Sequence, residues 1–473
     1  MTLRGRTRGM SAHVGANAGR VMSRRSRARA DFDTIISDRV ARSVRTLRES
    51  PHPVRRLPTA VLGTLAAGHH LLFNLKVASI ATRYALQRTA GREPATSLTL
   101  LSPGKALVVI DGNLGDCVMA TRSLAAVHEA WPGAQIDVLT NRPELFSCFP
   151  YVRRCLDMPK VHSSRTISLP SLTSGSAVFL ARRARKSAKT LIEDLASENY
   201  DVAVAAQNDT AMYLTARAEV PVRIGRAPMY RVERALRPCL THPIPSGSLE
   251  MRFADPTLSP EMLRDLGLDV TTPGRPELWV DSIAALSVDA LLEEWGVADG
   301  RFVILHTSAR SPARRWPDEY SDALAKRIHG RHGWKSLWIA ADKSDLATSN
   351  YLTNTTGRLS LSELVALIDV APIVITTDSG PLHIAGTLGR PTVGLFRSRN
   401  PIHQHRYASL TSLLGTHSAC REMCGVYRCL GKNPHLLRQN CAEMVAISPE
   451  QAFFEADRAI RLHTTAEGRC PAG

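Results

Sequence analysis

From Gly104 onward, short apolar runs alternate with stretches in which apolar residues recur every three or four positions, a pattern that predicts βαβ units on a parallel sheet. Lys105-Ala-Leu-Val-Val-Ile110 reads as a buried strand. The turn Asp111-Gly-Asn-Leu-Gly-Asp116 follows it, and Cys117, Ala120, Leu124 and Val127 then share one helical face. Further strands are expected at 134–139, 202–206 and 222–224, giving a first Rossmann-like domain over 104–272. The Pro/Gly-containing connector 271–276 marks a hinge, and a second domain over 273–473 repeats the pattern. Its strands fall at 302–305, 336–340, 373–376 and 392–396. One helix starts near Pro317-Asp318 with Tyr320, Ala323, Leu324 and Ile328 inward; another opens on the capping box Ser360-Leu-Ser-Glu363 and buries Leu364, Val365 and Ile368. The expected fold class is α/β, with two Rossmann-like halves facing one cleft.

The chain before Gly104 departs from this pattern. Residues 58–103 read as a helical extension whose apolar stretches are broken by His69, His70, Asn74, Lys76 and Arg83. None approaches the roughly twenty residues of a membrane span, so an amphipathic helix is expected, packed on the body or lying on a membrane. Residues 1–57 form a basic tail; the first sixty residues carry fourteen Arg, no Lys and four acidic residues, and so most of the net charge of +17. Three readings of the tail stay open: a disordered segment, an organellar transit peptide, or a contact to anionic lipid. No secretory signal is expected, since the tail has no apolar core of the needed length. The tail lacks interleaved aromatics and the body lacks a recognised nucleic-acid module, so no nucleic-acid partner is expected. Nine cysteines, of which Cys117, Cys148, Cys155 and Cys239 lie in or beside apolar segments, suit a reducing cytoplasm.

Three segments hold candidate chemistry. Ligands of open α/β sheets bind beyond the carboxyl ends of the strands, where helix N-termini present N–H groups to anions. In the first turn Gly112 and Gly115, flanking Asn113, let backbone approach a ligand closely, and Asp116 is either a base or a helix cap. In the second turn Thr377, Asp378, Ser379, Gly380 and Pro381 follow a strand and precede a helix that carries His383; the turn is either a site for a diphosphate or sugar, or an ordinary helix start. Between them Arg310, Arg314 and Arg315 lie on a basic loop that ends in Trp316-Pro317, able to hold phosphate oxygens or simply to be solvated. A fourth group, Cys420, Cys424, Cys429 and Cys441, is either a structural iron or zinc site or a set of reduced structural thiols.

Taken together, Gly115-Asp116, Trp131-Pro132, Arg314-Arg315-Trp316-Pro317, Leu361-Ser-Glu363-Leu364 and Asp378-Ser-Gly-Pro-Leu-His383 resemble glycosyltransferase family 9, the heptosyltransferases of the lipopolysaccharide inner core. The resemblance runs over roughly residues 104–450. It implies a GT-B fold and inverting transfer that requires no cofactor. It further implies a nucleotide-sugar donor such as ADP-heptose on the C-terminal half and a lipopolysaccharide core or other glycan acceptor on the N-terminal half. By the same resemblance Asp116 is the base, Arg314, where the family usually has lysine, neutralises the departing diphosphate, and Thr377 to Pro381 with His383 hold the donor. The cysteine group is similar to the iron site of the branch that modifies autotransporter proteins. Two alternatives therefore accompany the main expectation: a protein O-heptosyltransferase, and a non-catalytic glycan binder of the same fold. The expected location is cytoplasmic, peripheral on the inner face of the bacterial inner membrane.

Overall fold

A computed structural model describes residues 82, 98–158, 189–205, 209–226, 239–244, 258–271, 275–309, 314–340, 346–397, 407–415 and 441–467. The basic tail, most of the helical extension, loop residues 310–313 and Cys420, Cys424 and Cys429 lie outside them.

The first sheet holds β1 (Lys105–Ile110), β2 (Gln135–Thr140), β3 (Val152–Asp157), β4 (Val202–Ala205), β5 (Val222–Arg226) and β6 (His242–Ile244) in the order β3-β2-β1-β4-β5-β6. The second holds β7 (Phe302–His306), β8 (Lys335–Trp338), β9 (Leu352–Asn354), β10 (Val374–Thr377), β11 (Thr392–Arg397) and β12 (Leu410–Gly415) in the order β12-β11-β10-β7-β8-β9. Every pairing is parallel, and counted from its own first strand each sheet has the doubly wound order 3-2-1-4-5-6. Both belong to one compact unit of the chain, Tyr84–Lys160 with Ile192–Gly473.

The central strands form because continuous apolar runs can be covered on both faces only inside a parallel sheet. Ala106 to Ile110 and Val303 to Leu305 are fully buried. The Asp201 carboxylate fixes where β1 and β4 start, accepting from the N–H of Gly104 (2.8 Å) and of Lys105 (2.9 Å). α1 (Leu114–Ala130) packs Cys117, Ala120, Leu124 and Val127 inward, the face expected from their spacing. The capping box of α7 (Leu361–Val370) also forms as expected: Ser360 Oγ accepts from the N–H of Glu363, and Glu363 Oε2 accepts from the N–H of Ser360 at 2.7 Å. Glu363 Oε1 further accepts from Ser287 Oγ of α5 (Ser282–Glu294) at 2.6 Å, tying α5 to α7.

Several expectations need correction. The inward face of α6 (Asp318–His332) centres on Ser321, Leu324, Ala325 and Ile328; Tyr320 and Ala323 are half-buried, because Ser321 turns in to share a 2.8 Å hydrogen bond with Thr307. Leu364 is likewise half-buried, at the start of its helix. β8 ends at Trp338, two residues short of Ala340, and β7 runs on to His306. Strands β3, β6, β9 and β12 were not anticipated: they are edge or near-edge strands carrying residues such as Arg153, Arg154, His242 and Asn354, without the apolar continuity of a central strand. Cys117 and Cys239 are buried and Cys148 and Cys155 half-buried, all as free thiols. Among the described residues no helix is long and apolar enough to cross a membrane.

Candidate functional site

In each sheet the strand order reverses between its first and fourth strands, so the crevice beyond β1 and β4, and that beyond β7 and β10, is where a ligand is expected. α1 leaves the first crevice and α8 (Gly380–Thr387) leaves the second, and the two helices pack against each other. Their approach depends on glycine. A Cβ on Gly115 would lie 2.5 Å from Cδ2 of His383, and one on Gly380 would lie 2.6 Å from Cδ2 of Leu114. The core is continuous through this junction, from Val108 and Cys117 to Ile384 and Ala385.

On the α1 side the sequence allowed Asp116 to be a base or a cap, and the structure makes it a cap whatever else it does. It occupies the third helical position, and its Oδ2 accepts from the backbone N–H of Asn113 (3.0 Å) and from Asn113 Nδ2 (2.9 Å). The carboxylate is oriented at the mouth of the helix by these bonds to Asn113. Gly112 is held by its carbonyl, which accepts from Asn141 Nδ2 at 3.0 Å. Cys117 beside it is no nucleophile, since burial pushes its thiol up to about 12.

On the other side the turn after β10 is held by partners distant in sequence. Ser379 is the N-cap of α8 by position, yet its hydroxyl makes no capping bond. It turns inward to His306 Nδ1 (3.1 Å), Thr376 Oγ1 (3.1 Å) and the carbonyl of Thr377 (3.0 Å). The hydroxyl of Thr377 donates to the carbonyl of Ser308 at 3.1 Å, linking this turn to the loop after β7. Pro381 occupies the second helical position, where its missing N–H costs nothing.

The basic loop is pinned at its far end. The N–H of Trp316 donates to the carbonyl of Thr307 (3.0 Å), and the buried indole donates to the carbonyl of Ile447 (2.9 Å). Trp316 is therefore an anchor that delivers Arg314 to the site. Arg314 Nη1 lies 3.2 Å from Asp378 Oδ2 and donates to the Asp378 carbonyl at 3.3 Å. Its Nε is buried without a hydrogen-bond partner among the described residues. A guanidinium held through Nη1, on a side chain 37% exposed, keeps N–H groups for an incoming anion.

His383 reports how these parts converge. Burial holds its imidazole below the ordinary histidine value, while Asp378 and then Asp116 pull the other way and Arg314 opposes them. Asp116, Arg314, Asp378 and His383, drawn from both halves, thus share one locality. Two residues escaped the sequence reading. His306 at the end of β7 is buried, and that burial lowers it to about 4, leaving it neutral to hold Ser379. Tyr407, ahead of β12, reaches His383 Nδ1 at 3.2 Å. The apolar run 302–305 pointed to the strand that ends in His306; nothing local pointed to Tyr407. Arg310 and three of the four clustered cysteines lie outside the described residues, and Cys441 is a free, half-buried thiol. Among the described residues no group of three or more His, Cys, Asp and Glu is placed to hold a metal.

Comparison with known proteins bears on the same segments. Residues 188–430 match the model of the family described as glycosyltransferase family 9 (heptosyltransferase), a span that includes Arg314 and the Asp378 turn but not Asp116. Lipopolysaccharide heptosyltransferase 3 of Escherichia coli is 24% identical over 304 residues, covering 61% of this chain and 82% of its own. Among solved structures, E. coli ADP-heptose lps heptosyltransferase II is similar with a TM-score of 0.53 at 18% identity, covering 76% of this chain and 99% of that one. E. coli heptosyltransferase WaaC with ADP-2-deoxy-2-fluoro heptose is similar with a TM-score of 0.50 at 14% identity, covering 75% and 99%.

Proposed function

Because this chain belongs to glycosyltransferase family 9 and is a glycosyltransferase, we propose that it transfers a heptose from ADP-heptose to a lipopolysaccharide core acceptor with inversion at the anomeric carbon. The observation that carries this reading is the convergence of Asp116 with Arg314, Asp378 and His383 at the α1–α8 junction. The acceptor hydroxyl attacks the anomeric carbon from the Asp116 side, and the bond from that carbon to the diphosphate oxygen breaks. Asp116 takes the hydroxyl proton. Arg314 faces the charge that builds on the departing diphosphate, and Asp378 holds the guanidinium in place by accepting from Nη1. The start of α8, with Thr377, Ser379, Gly380 and Pro381 shaping the turn, receives the donor. Gly112, Asn113 and Gly115 line the acceptor side. The halves divide as 104–272 for the acceptor and 273–473 for the donor. The similarity to a lipopolysaccharide heptosyltransferase and to an ADP-heptose heptosyltransferase supports this donor and acceptor.

The deciding experiment supplies purified full-length protein with a panel of nucleotide-sugars and truncated core oligosaccharides. ADP release from ADP-heptose that depends on acceptor, with an inverted product by NMR, is expected. Turnover of another nucleotide-sugar in preference to ADP-heptose would overturn the donor assignment. The proposal extends to location on an anionic membrane face, supported by the fourteen arginines of the first sixty residues. Each basic residue near such a surface contributes about 1 kcal/mol. Replacing Arg24, Arg25, Arg27 and Arg29 by Ala in the full chain should therefore weaken cosedimentation with phosphatidylserine vesicles; unchanged binding refutes it.

A further inference from the structure

We propose that Arg397 is a second anion-binding residue of the donor side, placed across the Asp378 turn from Arg314 to take a phosphate oxygen of a nucleoside diphosphate. The inference rests on the reading that the turn after β10 receives the donor. β11 lies beside β10, paired from Val374 with Thr392 to Thr377 with Leu395. Beyond that last pair β10 gives way to the turn at Asp378, while β11 runs on to Arg397. Arg397 therefore stands at the carboxyl edge of the sheet, beside the turn. β7 borders β10 on its other side, and the loop after β7 brings Arg314 to Asp378. The turn is thus flanked by two segments that each carry a guanidinium.

Alternation along the strand fixes the face. Val393 and Leu395 belong to the core cluster that holds Trp316, Met444 and Ile447, and Arg397 continues their row. It shares that face with Trp316, the anchor of the basic loop. Arg397 is only 9% exposed, yet among the described residues its guanidinium makes no hydrogen bond and no ion pair. Arg223, 3% exposed, shows what the fold does elsewhere with a covered arginine: its guanidinium donates to the carbonyls of Val220, Pro221 and Cys239. Covering a charge without partners is unfavourable, and arginine does not escape the cost by giving up its proton. Such a cation is satisfied by an anion from outside the chain, and a phosphate offers oxygens at the spacing of the guanidinium fork. One guanidinium would suit a single phosphate or a carboxylate. Two, on opposite sides of a turn that opens α8, suit the paired phosphates of a diphosphate.

The test measures binding of ADP, GDP, UDP and CDP, and of the matching monophosphates, by calorimetry on full-length wild type, Arg397→Gln and Arg397→Lys. For whichever diphosphate wild type binds, Arg397→Gln should raise Kd about ten- to hundredfold, the scale of hydrogen bonds to a charged group. The matching monophosphate should lose less. Arg397→Lys should recover part of the loss, since it keeps the charge but not the fork. Without nucleotide, the urea midpoint of Arg397→Gln should equal or exceed that of wild type, because an uncompensated charge is gone. A lowered midpoint, an unchanged diphosphate Kd, or equal losses for diphosphate and monophosphate would each overturn the proposal. Wild type that binds a diphosphate other than ADP would refute the donor assignment and leave this inference standing. Wild type that binds no diphosphate would overturn both.

Discussion

The two turns that form the site occupy the same topological place in two sheets of the same strand order, yet they are stabilised in opposite ways. The turn after β1 is capped from within, Asp116 bonding Asn113 inside one helical turn, with Asn141 bracing the Gly112 carbonyl from outside. The turn after β10 is closed by others: Ser379 by His306, Thr377 by Ser308, and Asp378 by Arg314. A cap formed within one helical turn keeps its geometry as long as the helix start survives. A turn held from outside has its geometry set by the packing of β10 against β7 and by the loop after β7, and is loosened when a partner there is removed.

This contrast can be broken or sharpened experimentally. The largest effect is expected for Asp116→Asn, which can still accept from Asn113 but is not a base; kcat should fall by about 10^2 to 10^4 with the melting temperature little changed. A comparable fall in melting temperature would mean that Asp116 serves the helix only. Arg314→Ala follows, with a loss of about 10^2 in kcat from removing charge at the leaving group, and Arg314→Lys should recover part of it. Next comes Gly115→Ala, whose Cβ would meet the His383 ring at 2.5 Å; overpacking of this kind destabilises by about 1–3 kcal/mol in urea unfolding. Gly133→Ala, where no atom lies within 4 Å, is the control and should leave the midpoint unchanged. The smallest effect is one of pH. His306 is depressed to about 4 in the folded protein from its ordinary 6.5, so between these values the unfolded chain binds more protons than the folded one. Stability is therefore greatest above 6.5 and declines as pH falls towards 4. The decline should be shallower in His306→Gln, compared by urea midpoints at two pH values, with the similarly depressed His383 accounting for some of the residual slope.

How much of this was legible beforehand follows from the same contrast. Central strands, the inward face of α1 and the capping box at Ser360 could be read because each depends on residues within one element. Asp116 as a cap could be read for the same reason. The pairing of Arg314 with Asp378 spans 64 positions, and that of His306 with Ser379 spans 73. Neither leaves a local pattern. Resemblance to a family could place both motifs in one site without saying which atoms meet. Tyr407 was invisible because the reason for it lies in Gly386 and Met119. The edge strands were missed because one open side relieves them of the apolar continuity that marks a central strand.

The doubly wound order has one further consequence, for the time course of folding. In each sheet the strands on either side of the switch point are neighbours in space but distant in sequence: β1 pairs with β4, and β7 with β10. Joining them closes the longest loop within either sheet, and such contacts form late because their entropic cost precedes their reward. The reactive turns stand on that seam. Outer strands can zip while the seam is still open, so in a refolding experiment secondary structure should return before activity does.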